Sequence, residues 1–284
     1  MLGAQKGSTF NEIIAKGFGE PQSAKEFTEL AQWVNYDGYR AMFESRSLNR
    51  KGLLLWMTHP AWPSMVWQTY DYYFEPTAAY FACKKANEPL HIQWNGATDE
   101  VEVVNYSAGE HSDLVAKAQI INMDGSVAWE KQLQVVSNED TTLRCFKLEF
   151  GEGLSAAHFV KLYLIKGDDI ISDNFYIRGN EEGNYQAIAQ MPKVALKNRV
   201  SIEPSADGNW QGSVLIENHS DTPALMIRVN VVGTEDGEQI LPIFYSDNYF
   251  SLLPGESKQV SFHWKDIDTR GNKPKVVVTG YNVK

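Results

Sequence analysis

Ala86-Asn87-Glu88-Pro89-Leu90-His91 is the stretch on which the fold of this 284-residue chain turns. Before it, apolar residues recur at three- and four-residue spacing, the period of a helix; after it, they recur at every second residue, the period of a strand. Glu88-Pro89 closes the helical part, because the residue before a proline avoids the helical region. Working back, Pro76 suits the first position of a helix, and Thr77 to Ala86 continue it with Ala78, Phe81 and Ala82 inward. Ser23 and Glu26 form a capping box for a helix over about 24–45, whose apolar face is Phe27, Leu30, Ala31, Val34, Gly38, Ala41 and Met42. Thr9 and Glu12 suggest a further box, with Gly17 and Gly19 to stop a first short helix.

Working forward, Val101 and Val103 alternate with Glu100, Glu102 and Asn105. Leu114, Ala116, Ala118 and Ile120 make another apolar face, and Asp124-Gly125 is a hairpin pair. Lys166-Gly167-Asp168-Asp169 joins strands at 159–165 and 170–177. The polar stretch 179–184 reads as a linker. Beyond Pro192, strands are predicted at 199–202, 212–218, 225–233, 239–245, 258–264 and 275–281. Short strands at this rhythm predict two antiparallel β-sandwiches. The two share size and rhythm but no clear repeat of residues.

Composition narrows the function. The 26 basic and 36 acidic residues leave a net charge of −10, which disfavours nucleic acid and anionic membrane as partners. No apolar run approaches the roughly 20 residues that span a bilayer, and the first 20 residues lack the apolar core of an export signal. Two cysteines, Cys83 and Cys145, give neither a disulfide framework nor a multi-cysteine metal site. The aromatics are the unusual feature: 13 of the 34 fall between Trp33 and Phe81.

Within that cluster, Leu53-Leu54-Leu55-Trp56-Met57 is an unbroken apolar run, as in a strand buried on both faces. Such a strand needs neighbours that residues 1–86 do not supply. The helix–strand–helix order suits one and a half units of a (β/α) barrel, whereas a whole barrel takes eight units and about 250 residues. Two readings stand: the end of a barrel whose front lies elsewhere, or a small α+β cap on the sandwiches.

Several stretches then carry a resemblance. Asn35-Tyr36-Asp37-Gly38-Tyr39-Arg40-Ala41-Met42-Phe43-Glu44 resembles the helix before the last barrel strand of glycoside hydrolase family 2, in the branch of exo-β-D-glucosaminidases and β-mannosidases, endo-β-mannosidases included. Leu53 to Ser64, with Trp56-Met57-Thr58-His59-Pro60-Ala61-Trp62, is similar to its eighth strand and following loop. Asp71-Tyr72-Tyr73 and Ala79 to His91 resemble the last barrel helix and the exit into the next domain. Ser172-Asp173-Asn174-Phe175-Tyr176 resembles the closing strand of the first sandwich, and Ser246 to Ser257 a signature of the last. The resemblance implies a C-terminal fragment of a (β/α)8 barrel over 1–87, followed by immunoglobulin-like sandwiches over 88–180 and 181–284.

It also implies a retaining β-glycosidase, which uses two carboxyl groups about 5–5.5 Å apart. The family places both on glutamates after the fourth and seventh barrel strands, outside what this chain matches. The carboxylates before residue 87 (Glu12, Glu20, Glu26, Glu29, Asp37, Glu44, Asp71, Glu75) fall on predicted helices or turns. No catalytic residue is therefore assigned, and the chain alone is expected to be inactive. Trp56, His59 and Trp62 lie at the C-terminal end of the expected strand, where barrel sites form. A flat indole there can stack on a sugar ring, so these three are the candidate pocket wall. The bland reading makes them barrel core and a packed loop histidine. Asp71 is expected to tie its loop. Relatives often carry Asn-Asn or Asn-Asp where His59-Pro60 stands here. The histidines His91, His111, His158, His219 and His263 show no metal-ligand spacing, and no metal or cofactor is expected. Trp129, Trp210 and Trp264 could form a sugar platform, though strand tryptophans are more often core. Expected partners are a β-linked glucosamine or mannose glycan and a separate N-terminal, barrel-bearing polypeptide; a parent enzyme could be secreted or periplasmic, with its signal upstream of Met1.

Overall fold

The computed structural model describes residues 7–45, 52–64, 68–205 and 208–284. They form two compact units, Met1–Leu54 with Ala82–Gln190, and Leu55–Phe81 with Met191–Lys284. The fold is sheet-rich, with three α-helices among the described residues: α1 (Ser8–Phe18), α2 (Ala24–Glu44) and α3 (Ala78–Ala86).

In the first unit, α1 starts at Ser8, one residue before the expected cap Thr9, and its N-cap is Gly7, which takes φ 65° and supplies no side-chain bond. Gly19 (φ 91°) ends it, as only a residue without Cβ does readily. Ser23 caps α2 by accepting from the Glu26 amide at 3.1 Å, while the Glu26 carboxylate reaches the Gln22 amide at 2.7 Å. The buried face of α2 is Leu30, Trp33, Tyr36, Arg40, Phe43 and Glu44. Of the apolar stripe predicted from the sequence, Gly38, Ala41 and Met42 are exposed instead. The helix has turned toward partners for its polar groups.

Those partners belong to a seven-stranded sandwich. β1 (Leu90–Asn95), β2 (Glu100–Asn105) and β5 (Thr141–Lys147) form one antiparallel sheet in the order β1-β2-β5. β4 (Val127–Ser137), β3 (His111–Asn122), β6 (Ala157–Lys166) and β7 (Asp169–Gly179) form the other, β4-β3-β6-β7. Ile92, Val101 and Val103 of one meet Leu114, Ala118, Ile120, Leu162 and Leu164 of the other in a continuous apolar core. Each fully buried valine, leucine or isoleucine here contributes about 1.5–3 kcal/mol. The expected hairpins at Asp124-Gly125 and Lys166–Asp169 are present, with Gly125 at φ 86° and Gly167 at φ 60°. The stretch expected to be a linker contains a turn, closed by the Asn184 amide on Glu181 O at 3.1 Å, and next to it the Tyr185 amide donates to Gly17 O at 2.8 Å, which ties α1 to the sandwich's exit.

A buried polar network joins α2 to this sandwich. Glu44 accepts from Tyr176 Oη at 3.0 Å and Asn174 Nδ2 at 2.7 Å, and faces His91 Nε2 at 3.1 Å. Arg40 donates to Asn174 Oδ1 (2.9 Å), Phe175 O and Asp37 Oδ1 (2.8 Å), and lies 4.0 Å over the Tyr176 ring. Charges this deep persist only when each is paired and hydrogen-bonded.

The second unit holds another sandwich. β8 (Lys197–Ser205), β9 (Asn209–Glu217), β13 (Ser257–Lys265) and β11 (Phe244–Tyr245) order as β11-β13-β9-β8. β12 (Phe250–Leu252), β10 (Ala224–Gly233) and β14 (Pro274–Thr279) order as β12-β10-β14. Val260, Phe262 and Trp264 alternate inward along β13. The strand expected over 239–245 shrinks to Phe244–Tyr245, since Pro242 has no amide to give a ladder.

The two sandwiches reuse one local device that pattern reading misses. In Ser172-Asp173-Asn174 and Ser246-Asp247-Asn248, the serine hydroxyl accepts a backbone amide (Ile92, 3.2 Å; Ser261, 2.9 Å). The aspartate pairs with a lysine (Lys161; Lys258), and the asparagine side chain donates to a strand carbonyl (Ile92 O, 3.2 Å; Val229 O, 2.9 Å).

The strand expected at Leu53–Met57 is absent. Leu54 is fully exposed and Trp56 is 81% exposed. An extended run becomes a strand only when neighbours complete its ladder, and the described residues provide none.

Candidate functional site

The second unit contains the loop with the three candidate pocket-wall residues. Its frame is a set of backbone bonds: the Tyr70 amide to Thr58 O at 3.0 Å, Asp71 to Glu75 O at 3.0 Å and Thr77 to Thr69 O at 2.9 Å. Asp71 Oδ1 accepts from the Tyr73 amide at 2.8 Å and the Glu75 amide at 2.9 Å, so this carboxylate does tie the loop. Glu75 pairs with Arg228 of β10, which anchors the loop to the second sandwich.

His59 is held inside this frame. Its ring stacks on Phe74 at 4.4 Å and 12°, and Nε2 lies 3.2 Å from Tyr72 O. Trp56 and Trp62 are both largely exposed and do not border the adjoining cleft. The structure thus brings His59 together with Tyr72 and Phe74 rather than with the two tryptophans.

That cleft has a volume of about 560 Å³. Its walls are His59 and the aromatic run Tyr72-Tyr73-Phe74 on one side, and Glu238, Gln239, Leu241, Pro242 and Arg270 of the second sandwich on the other. The aromatic run is visible in the sequence as Tyr70-Asp71-Tyr72-Tyr73-Phe74, and its density is the available signal. The opposite wall comes from two distant loops that nothing in local sequence links to it.

The other candidates resolve as structure. Trp264 is buried at the centre of its sandwich, with Trp210 stacked on it at 6.2 Å and 5°. Trp129 packs against the core of the first sandwich. Glu44 and His91 resemble an acid/base couple, but both are buried; the pair instead binds helix to sheet. Burial opposes the charge on His91, yet hydrogen bonds and proximity to Glu44 and Glu88 outweigh it and raise its pKa. Burial pushes the Cys83 thiol up to about 11 and that of Cys145 to about 12, which makes both poor nucleophiles. Among the described residues no cluster of His, Cys, Asp or Glu could hold a metal ion.

Residues 174–283 match the family profile of the exo-β-D-glucosaminidase Ig-fold domain. Over 96% of its length the chain is 28% identical to an exo-β-D-glucosaminidase of Amycolatopsis orientalis, of which it covers 29%. Over 98% it is 28% identical to a mannosylglycoprotein endo-β-mannosidase of Lilium longiflorum, of which it covers 36%. Among solved structures, the exo-chitosanase of Amycolatopsis orientalis superposes with a TM-score of 0.91 at 26% identity, over 96% of this chain and 36% of that one. A β-D-mannosidase of Dictyoglomus thermophilum shares the fold at a TM-score of 0.71 and 17% identity, over 96% of this chain and 32% of that one. The chain therefore spans about a third of the length of these relatives. Its residues 174–283 match the Ig-fold domain of exo-β-D-glucosaminidases, and the relatives it is similar to are glycosidases.

Proposed function

We propose that this chain is the C-terminal portion of a retaining β-glycosidase of the exo-β-glucosaminidase type. In this reading, residues 1–87 are the end of a (β/α)8 barrel, and 88–180 and 181–284 are immunoglobulin-like sandwiches. The catalytic glutamate pair lies in the part of the protein that precedes this chain. The observation that carries the proposal is the end-to-end match to the exo-chitosanase, which accounts for 96% of this chain with only 36% of the relative. Two physical features support it. Leu54 and Trp56 are apolar yet bare, which is costly in water and ordinary for a strand awaiting its ladder. The small, exposed face of α2 at Gly38 and Ala41 suits close approach by further barrel elements.

Trp56 and Trp62 then belong to the wall of the sugar pocket, with a flat ring offered to the apolar face of the pyranose. His59, stacked on Phe74, is the polar member of the proposed wall. A second reading, a non-catalytic module that completes a barrel borne by another polypeptide, is favoured by the same bare run. The substrate is a β-linked glucosamine glycan, since a variant of the exo-chitosanase was crystallised with PNP-β-D-glucosamine.

The test is reconstitution. The chain alone is expected to leave PNP-β-D-glucosamine intact. Mixed with a polypeptide carrying the preceding barrel strands and their glutamates, it is expected to restore hydrolysis, and Trp56→Ala to lower kcat/KM of the mixture by about tenfold or more. Hydrolysis by the chain on its own would overturn the proposal.

A further inference from the structure

β8 is the outermost strand of its sheet, and no strand pairs with its free side among the described residues. It is long and regular for an edge: nine residues, Lys197–Ser205, matched to β9 one for one without a register shift. The opposite edge, β11, is two residues long. Edges are commonly shortened or bulged, because a row of unpaired amides and carbonyls recruits another strand. Shortening blunts β11 here and leaves β8 whole.

Two residues fix which backbone groups of β8 face outward. A proline in a sheet is confined to positions where the missing amide faces away from the ladder, and Pro204 is on β8. Ser201 turns the other way: its carbonyl oxygen lies 2.6 Å from where a Cβ on Gly212 of β9 would sit. Backbone groups alternate sides along a strand, so Asn198, Val200 and Ile202, in step with Pro204, present theirs to the free side. Two apolar rows also stop short at this edge. Val260 and Val214 are fully buried, while Val200, next in the same row, is 48% exposed. Phe262 and Gly212 lead in the same way to half-buried Ile202.

The sequence of β8, Lys197-Asn198-Arg199-Val200-Ser201-Ile202-Glu203-Pro204-Ser205, complements itself when reversed. Antiparallel pairing about Ser201 sets Arg199 against Glu203 of a second copy, and Glu203 against that copy's Arg199. On the other face it sets Val200 against Ile202, and Ile202 against Val200, which continues both apolar rows. Val200 and Ile202 then exchange amide–carbonyl bonds through the groups that face outward. Arg199 donates to Glu217 at 2.9 Å and Glu203 accepts from Gln211 at 2.9 Å. A guanidinium has five donors and a carboxylate two oxygens, so both side chains retain capacity for the new pair. The operation is a two-fold axis, so the contact closes on itself and stops at two copies.

We infer that β8 is a self-complementary docking edge, through which two copies of this chain join their four-stranded sheets into one continuous sheet. The edge is independent of the glycosidase reading above.

The test is sedimentation velocity of the full chain across about 1–300 μM, where monomer is expected to pass to dimer and nothing larger. Arg199→Glu and Glu203→Arg each turn two attractive contacts into two repulsive ones, and each alone should weaken the dimer by about tenfold or more. Mixed in equal amounts, the two variants restore opposite charges at both contacts, so a heterodimer of near-parent affinity is expected. Its recovery would also show that both variants are folded. Ser201 lies on the axis, in a pair whose Cβ atoms come about 4.5–5.5 Å apart. Ser201→Cys should therefore cross-link into dimers on mild oxidation, above the background of the parent chain, and Ser205→Cys, at the end of the strand, should not. A chain that stays monomeric throughout, a dimer indifferent to both charge reversals, or a mixture no tighter than either variant alone would each overturn the inference.

Discussion

Arg40 shows how one side chain can hold an element in place. It is buried on α2, and its planar fork serves three acceptors while its face covers Tyr176. A lysine can supply the charge but not the fork or the stack. Arg40→Lys is therefore expected to cost about 1–3 kcal/mol. Arg40→Ala, which strands polar partners in the interior, is expected to cost about 3–5 kcal/mol. Urea denaturation of the two variants against the parent chain checks both; equal and negligible losses would show the network to be ornamental. Sequence pattern puts Arg40 on the polar face of its helix, opposite the apolar stripe. Its burial is not legible there, because it depends on Asn174 and Phe175, more than 130 residues away.

At the scale of elements, two glycines make opposite predictions. Gly179 ends β7, and a Cβ there would sit 2.0 Å from Asn184 O, a backbone atom that cannot swing aside. Gly179→Ala is expected to destabilise the turn by about 1–3 kcal/mol or more. Gly38 is on the open side of α2, where an added Cβ would meet nothing within 4 Å. Gly38→Ala should therefore stabilise the isolated chain by about 0.5–1 kcal/mol through helix propensity alone. Thermal melting of both variants is the measurement. The same Gly38→Ala change should leave the chain less able to restore hydrolysis on mixing, if that face is where barrel elements pack. The sandwich strands themselves are largely legible in the sequence, because alternation survives any environment with one wet face. The run Leu53–Met57 is not, because an all-apolar run takes its state from its neighbours. The aromatic loop is visible as composition, while its partnership with Gln239 and Arg270 is not.

At the scale of the molecule, pH acts unevenly on the two units. His91 faces Glu44 on α2, Glu88 just after α3 and Asn174 on β7, and Lys85 and Asp173 pair with each other beside Glu88. Its pKa is raised above the ordinary 6.5 in the folded chain. A raised pKa means that the folded state holds the proton more tightly than the unfolded one, so the stability is fully present below about 6.5 and is lost as pH rises through the folded value. The first unit should accordingly become easier to denature from neutral to mildly alkaline pH, with the effect flattened in His91→Gln. Denaturation curves at a series of pH values, in both forms, check this; a curve for His91→Gln that parallels the parent would refute it. Units of this kind need not unfold together, so the curves are fitted as two transitions. Sequence alone determined the switch from helix to strand at Glu88-Pro89, the two all-β parts that follow and the resemblance to family 2 glycosidases, because periodicity, turn residues and motifs are local properties of the chain. Tertiary structure alone decided which face of α2 is buried, that Leu53–Met57 stands without a ladder, and that Tyr73 and Phe74 look across a cleft at Glu238. Each of these depends on groups far apart in sequence, whose burial and pairing are settled only when the chain closes on itself.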